Sequence, residues 1–420
     1  ESGAIRMAFF GFSSVLPLLL VLGTLGFWLR EAGVDLKTIG FMSWIGLIYG
    51  LKWSWAPLVD RLPIPILIHW LGQRRSWLLV AQLGVMLGLF ATAFADPQIN
   101  LGILAVSTVG TAFASATQDI ALDAYRIESA DSRHQAAYAA MYQAGYRMGM
   151  IWAGAGALAF AAWAAGDTSG YLHSAWGVSY SVMAMSMSVG IVTTLFAPEP
   201  SAKEQRVQTV KKMPFWQRTK AAIVEPFTLF FHRFGWSALL VLVLIATYRI
   251  SDVVMGIMAN PFYQDIGFSK EQVAAVSKVF GVVMTLLGAF IGGVATMRYG
   301  VLKMLMLGAV LSAATNVLFS MLAQIGASLP LLIAAVSADN LAAFVAYLSG
   351  LTTRGCSATQ YALFSSLMLL LPKFLAGFSG ILVELVGYSN FFLITAAIGV
   401  PVVGLVMLVM RWVPESADET

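Results

Sequence analysis

Runs of about 20 predominantly apolar residues recur along almost the whole chain, and that pattern leaves few folds open. Each run is long enough to cross a hydrocarbon core of roughly 30 Å as a helix. Lipid offers no partner to a backbone N–H or C=O, so a spanning segment must satisfy them internally, and an open sheet is ruled out. The 420 residues are 59% hydrophobic and 11% charged, well above the roughly 45–50% apolar content of soluble domains. The expectation is therefore an all-α integral membrane protein.

Hydropathy places spans near 5–29, 38–58, 76–95, 100–125, 137–164 and 175–197, and six more near 236–260, 272–296, 302–323, 329–352, 359–385 and 389–411. Glu1 to Arg6 lead directly into the first of these without a small-residue cleavage pattern, so that segment is expected to be a span and not a removable signal. Between the sixth and seventh lies one long polar stretch with Pro198, Pro200, Lys203, Arg206, Lys211, Lys212, Arg218, Lys220 and Arg233. The expected organisation is thus twelve transmembrane helices as two six-helix bundles, 1–197 and 236–420, joined by a linker at 198–235. Such a plan puts a substrate site at the midplane between the halves.

The even-numbered loops hold 15 Lys and Arg, including Arg61, Arg74, Arg75, Arg126, Arg298, Lys303 and the seven of the linker, against three in the odd-numbered loops, Arg30, Lys37 and Lys270. Positive residues stay inside, so both termini and the linker are expected in the cytoplasm. This topology also accounts for the net charge of +4 without a nucleic-acid partner. Cys356 is the only cysteine and falls in a cytoplasmic loop, where a free thiol is expected. The histidines, His69, His134, His173 and His232, share no ligand spacing. No metal and no cofactor is expected, and the absence of a G-x-x-x-x-G-K-[ST] sequence removes an ATP-driven pump.

Between the second and third spans the chain reads Ala56-Pro57-Leu58-Val59-Asp60-Arg61 and, ten residues later, Gly72-Gln73-Arg74-Arg75. This resembles the gating loop of the major facilitator superfamily, and the resemblance implies that fold and a gating role for Asp60, Arg61, Arg74 and Arg75. The flanks are more specific. Gly33 to Phe41, Lys52-Trp53, Arg74 to Leu79, Ser115-Ala116-Thr117-Gln118-Asp119-Ile120, Gly145-Tyr146-Arg147-Met148-Gly149 and Ala197-Pro198-Glu199-Pro200 are similar to AmpG-type muropeptide permeases. The similarity continues through Tyr248 to Asp252, Ser277-Lys278, Asp339-Asn340-Leu341 and Ser357 to Leu363. It implies a secondary transporter in a bacterial inner membrane, acting as a monomer. The implied cargo is N-acetylglucosaminyl-1,6-anhydro-N-acetylmuramic acid, with or without stem peptide, driven by protons. Uptake of this kind serves peptidoglycan recycling and can feed β-lactamase induction.

Nine charges fall within the expected spans: Lys52, Asp119, Asp123, Arg147, Arg249, Asp252, Lys278, Asp339 and Lys373. Each would cost roughly 2.5–3.5 kcal/mol or more facing lipid, so they should face one another or a wet cavity. Asp119 and Asp123 lie four apart on one helix face and Arg249 and Asp252 three apart. Two readings stand: ion pairs that orient helices, or cations gathered around an anionic cargo. Five cations against four anions on seven spans exceed what orientation needs. The substrate-binding set is accordingly Lys52, Gln118, Tyr142, Tyr146, Arg147, Arg249, Asp252, Lys278, Asp339, Asn340 and Lys373, with Asp119 and Asp123 for proton coupling. Tyr138, Tyr142 and Tyr146 recur at helical spacing and either stack on pyranose faces or pack between helices. Gly145 and Gly149 suit close helix approach, and Pro17 and Pro372 interrupt their ladders, the latter just before Lys373.

Two alternatives use the same residues. One is a carrier of acetyl-CoA, also bulky and anionic. The other is a membrane-embedded enzyme on lipid-linked sugars with Asp119 and Asp123 as acid and base, which the short loops disfavour.

Overall fold

The computed structural model describes residues 2–129, 135–168, 170–200, 237–299, 301–342 and 369–412. Every regular element among the described residues is helical. Among them, nine helices are long and apolar enough to cross a membrane: Gly3–Glu31, Gln73–Phe94, Pro97–Ser129, Ala137–Ala165, His173–Phe196, Leu242–Asp265, Lys270–Gly288, Leu302–Ile325 and Ser379–Arg411. Large apolar side chains such as Phe94, Ile99 and Phe196 stand on their outer faces, where lipid takes the place of water.

Several spans depart from the regular helices that hydropathy suggests. The stretch expected at 38–58 is a chain of short pieces, Leu36–Met42, Ser43–Gly46, Leu47–Leu51, Lys52–Ser54 and Ala56–Arg61, alternating between α and 3-10 geometry. Gly40, Gly46 and Gly50 weaken the helix, and Pro57 has no N–H to give to the turn before it. The span expected at 236–260 is interrupted at Tyr248 and Arg249, between Ser237–Thr247 and Ile250–Asp265. There the Thr247 hydroxyl donates to the Val243 carbonyl at 2.7 Å, a local bond that competes with the ladder and bends helices. The spans expected at 359–385 and 389–411 meet in one helical run, Ser379–Trp412, broken at Gly387 with φ 76° and ψ 164°. The span expected at 329–352 is described as Leu329–Ala342. Residues 343–368, which carry Cys356, and residues 201–236 of the linker lie outside the described residues.

Three π-helical segments occur among the described residues, Leu20–Thr24, Trp152–Gly156 and Ala274–Phe280. The first directly follows the helix Ser2–Leu19, which contains Pro17. The missing N–H and the ring clash of that proline loosen the ladder, and the wider turn takes up the slack.

Packing divides the chain into two compact units, one of Glu1–Ala202 with Ile257–Val282, the other of Lys203–Gly256 with Val283–Thr420. In the first, Ser2–Leu19 lies along Gln135–Ile151 so closely that a Cβ on Gly145 would sit 1.8 Å from the Ala8 carbonyl oxygen. Met7, Phe10, Leu78, Leu122 and Tyr125 are buried together at its core. In the second, Val301–Ile325 packs against Ser379–Trp412, with Leu244, Ile245, Leu305, Val402 and Val406 in one buried cluster.

Glu199 fastens one end of the first unit. Its carboxylate accepts from the backbone N–H groups of Arg74 at 2.7 Å and Arg75 at 3.2 Å, the place where a helix N-terminus favours negative charge. In return the Arg75 guanidinium donates to the carbonyls of Thr194 at 2.9 Å and Leu195 at 2.5 Å, capping the end of Ser188–Phe196. Gly72 precedes these amides with φ 82°, and a Cβ there would lie 2.5 Å from Glu199 Cδ, so no other residue fits. Glu199→Ala should cost about 1–2 kcal/mol, read as a lower unfolding midpoint in detergent. An unchanged midpoint would remove the staple from the account.

Asp35 caps Leu36–Met42, accepting from the Thr38 backbone N–H and hydroxyl, both at 2.8 Å. Slight burial pushes its carboxyl up, but the two Thr38 bonds outweigh it and hold the group below its ordinary value of 3.8. With the folded value depressed, the charged cap contributes above the ordinary value, and its contribution is lost as pH falls through the folded one. Asp35→Asn should therefore melt below the parent protein at neutral pH and converge with it in acid.

Candidate functional site

In the first unit, Lys52, Asp119 and Asp123 come together. Lys52 Nζ lies 3.9 Å from Asp119 Oδ2 and 4.0 Å from Asp123 Oδ2, and the Arg126 guanidinium reaches Asp123 Oδ1 at 3.5 Å. The two carboxylates share a face of Pro97–Ser129, as their spacing of four requires. Lys52 comes from the 3-10 turn of the irregular second stretch, so the break in that helix is what brings an ammonium to them. Asp119 also accepts from the Ser14 hydroxyl at 2.8 Å, and Ser14 in turn accepts from the Tyr142 hydroxyl at 3.0 Å. Tyr142 lies 6.3 Å from Tyr146, ring to ring, and the Arg126 guanidinium sits over the Tyr142 ring at 5.4 Å. Tyr142 therefore takes part in a hydroxyl chain leading to a carboxylate, a role its helical spacing does not reveal.

Gln118 precedes Asp119 and is fully buried, and neither its amide oxygen nor its nitrogen finds a partner among the described residues. An amide left so costs about 1–3 kcal/mol unless something else bonds it. Arg147 is half-buried with its Nε likewise unsatisfied, and among the described residues it donates only to the thioether of Met150, at 3.5 Å. The helix carrying Arg147 packs against the π-segment carrying Lys278. Lys278 donates to Asn260 Oδ1 at 2.9 Å, and neither cation forms a salt bridge among the described residues.

In the second unit, Asp252 accepts from the Ser312 hydroxyl and is not salt-bridged to Arg249 among the described residues, despite their spacing. Arg249 sits where the helix is interrupted. Asp339 accepts from Thr315 at 3.5 Å. Asn340 accepts from Thr285 at 2.6 Å and donates to the Val336 carbonyl at 2.8 Å. Lys373 is half-buried in the helical segment 369–376, directly after buried Pro372.

Of the loop residues, Arg74 grips Glu128 through two bonds of 3.0 and 2.6 Å, and Arg75 is committed to helix carbonyls. Asp60 and Arg61 end the helix Ala56–Arg61, and their side chains lie outside the described residues. Reading charges alone passes over Ser14, Ser312, Asn260 and Glu199. The first three are polar but uncharged residues inside apolar runs, and that rarity is the signal that finds them. A second cluster joins cations first counted only as loop charges. Lys270 Nζ lies 2.8 Å from Glu31 and 5.1 Å from the Trp176 ring, Trp176 Nε1 donates to Glu31 at 2.5 Å, and Arg30 pairs with Asp265 at 2.5 Å. No group of three His, Cys, Asp or Glu able to hold a metal is present among the described residues.

Long apolar helices carrying partly compensated charge define a multi-pass membrane protein. The solved structure of a D-xylose–proton symporter shares the fold, with a TM-score of 0.70 at 13% identity over 100% of this chain and 98% of that one, so the fold is that of the major facilitator superfamily. A transporter of Rickettsia conorii named AmpG 4 is 32% identical over 94% of both chains. The anhydromuropeptide permease of Escherichia coli K12 is 34% identical over 95% of this chain and 78% of its own length. No family profile matches the chain. By these relatives, the chain belongs to the AmpG-type anhydromuropeptide permease family, and it is a transporter and not an enzyme.

Lys52 holds two carboxylates on one helix face, so Lys52→Ala should lower stability by about 1 kcal/mol, as expected for a half-exposed pair. Lys52→Ala with Asp119→Asn should regain part of that loss. Additive losses in thermal unfolding would show that Lys52 and Asp119 are not coupled.

Proposed function

We propose that this carrier imports anhydromuropeptides, N-acetylglucosaminyl-1,6-anhydro-N-acetylmuramic acid with or without stem peptide, from periplasm to cytoplasm across a bacterial inner membrane, together with protons. The observation that carries the reading is that Lys278 and Arg147, half-buried within spans, have only neutral partners among the described residues. A cation in a span needs a counter-charge or water, and the cargo supplies a carboxylate, the lactyl one when the stem peptide is absent and those of the peptide when it is present. The name of the Escherichia coli relative supports the same cargo. Gln118 is an amide left for a sugar hydroxyl or acetamido group, and Tyr146 offers an aromatic face. In the second unit, Arg249 and Lys373 meet further anionic groups while Asp252, Asp339, Thr285 and Asn340 bond hydroxyls.

Proton coupling rests on Asp119 and Asp123. The chain from the Tyr142 hydroxyl through Ser14 to Asp119 gives a proton a path of hydrogen bonds, and Lys52 adjusts its hold on the two carboxylates as one of them is protonated. Arg74 and Arg75 brace the loop in which Asp60 and Arg61 gate alternation between inward and outward access, and Asp60→Asn should slow transport more than it weakens equilibrium binding.

The deciding experiment is uptake of labelled anhydro-disaccharide peptide into proteoliposomes with and without an imposed pH gradient. Accumulation should require the gradient, and Asp119→Asn should retain binding yet lose accumulation. Uptake indifferent to a protonophore would overturn the coupling, and absence of uptake would overturn the cargo. Arg147→Ala should weaken the peptide-bearing cargo by about 1.5–3 kcal/mol and a sugar without carboxylates by less. Equal losses would mean that Arg147 serves only to pack helices.

A further inference from the structure

Asn260 carries no charge, so a reading of intramembrane charges passes over it. It lies 7% exposed on Ile250–Asp265, just before Pro261. Its Nδ2 donates to the Gly23 carbonyl at 2.9 Å and its Oδ1 accepts from Lys278 Nζ at 2.9 Å. These partners fix which way the amide faces, because a carbonyl only accepts and an ammonium only donates. Gly23 belongs to the π-segment Leu20–Thr24 and Lys278 to the π-segment Ala274–Phe280. The third π-segment, Trp152–Gly156, completes the arrangement. The Thr24 hydroxyl donates to its Ala153 carbonyl at 3.1 Å, and its Gly154 faces the Lys278 stem, where a Cβ would stand 3.2–3.3 Å from Cβ, Cγ and Cδ of the lysine.

The three π-segments are thus linked through Lys278 and the amide that holds it. Its hydrocarbon stem lies against a glycine, and its ammonium is held by an amide that is itself anchored to backbone. A hydrocarbon side chain in place of Asn260 would let the ammonium swing away. A carboxylate there would neutralise it.

We propose that Asn260 is the positioning residue of Lys278, holding the ammonium in one place by a neutral acceptor so that its charge stays available to a carboxylate of the cargo. This rests on Lys278 being a cargo cation, as in the function proposed above. Gly154 is the second part of the device, since it leaves room for the stem to reach the amide.

The test is calorimetric titration of the purified full chain with two ligands, the anhydro-disaccharide bearing a tripeptide and a disaccharide lacking any carboxylate. Asn260→Ala should weaken the charged ligand about tenfold, the equivalent of one hydrogen bond to a charged group, and leave the neutral one unchanged. Asn260→Asp should weaken the charged ligand at least as much, because Lys278 then has its own counter-ion. Gly154→Ala, which crowds the stem and keeps the amide, should act in the same direction by a smaller factor, and it reports even where Asn260 variants fail to fold. Equal loss for both ligands, or no loss, would overturn the proposal. A second readout is independent of cargo: the rate at which an amine-reactive acylating reagent modifies Lys278, followed by mass spectrometry. That rate should change about threefold or more in Asn260→Ala, and an unchanged rate would overturn the positioning role. If the parent protein binds no muropeptide while the acylation rate does change, the functional reading fails and the positioning of Lys278 stands.

Discussion

Inside a bilayer the backbone has no solvent to turn to, and most of what distinguishes this structure follows from that. At two of the places where a span leaves regular α geometry, a side chain of a neighbouring helix bonds the backbone. The π-segment after Pro17 gives its Gly23 carbonyl to Asn260, and the Trp152–Gly156 segment gives its Ala153 carbonyl to Thr24. In the other unit, where the helix re-forms after its interruption at Tyr248 and Arg249, Ser251 donates to the Thr395 carbonyl at 2.7 Å and accepts from Asn316 at 2.8 Å. Irregular backbone survives here because small polar side chains on neighbouring helices complete it.

The charges obey the same economy in different ways. Asp119 and Asp123 have Lys52 beside them, Arg74 has Glu128, and Arg30 has Asp265. Asp252 and Asp339 are held, among the described residues, by hydroxyls. Lys278 and Arg147 are held by an amide and a thioether. An amide and a thioether compensate a buried cation less fully than a carboxylate does.

The fold class was legible because hydropathy over some 20 residues averages out local detail. The pairing of Asp119 with Asp123 was legible because helical spacing alone places both on one face. What stayed hidden depends on residues distant in sequence. No local pattern tells that Lys52 rides on a 3-10 turn, that Asp252 bonds Ser312 instead of Arg249, or that Glu199 closes on the amides after Gly72. The span breaks were half visible: Gly387 fell in the gap between two expected helices, whereas the interruption at Tyr248 and Arg249 has no glycine or proline to announce it. Asn260 was missed because a scan for intramembrane charge ignores amides, although a buried amide is nearly as costly to leave unbonded.

The residues 257–282 belong by packing with the N-terminal unit, and that has an evolutionary consequence. Arg30 and Glu31 find their partners in Asp265 and Lys270, more than 200 positions along the chain. A recombination that exchanged everything after the linker with a relative's sequence would separate both pairs, together with Gly23 and its amide. Such hybrids inherit a mismatched clasp unless the donor carries the same two charges as Asp265 and Lys270. The two halves of this carrier are therefore bound to change together, and lineages that diverge at one end of the clasp must follow at the other.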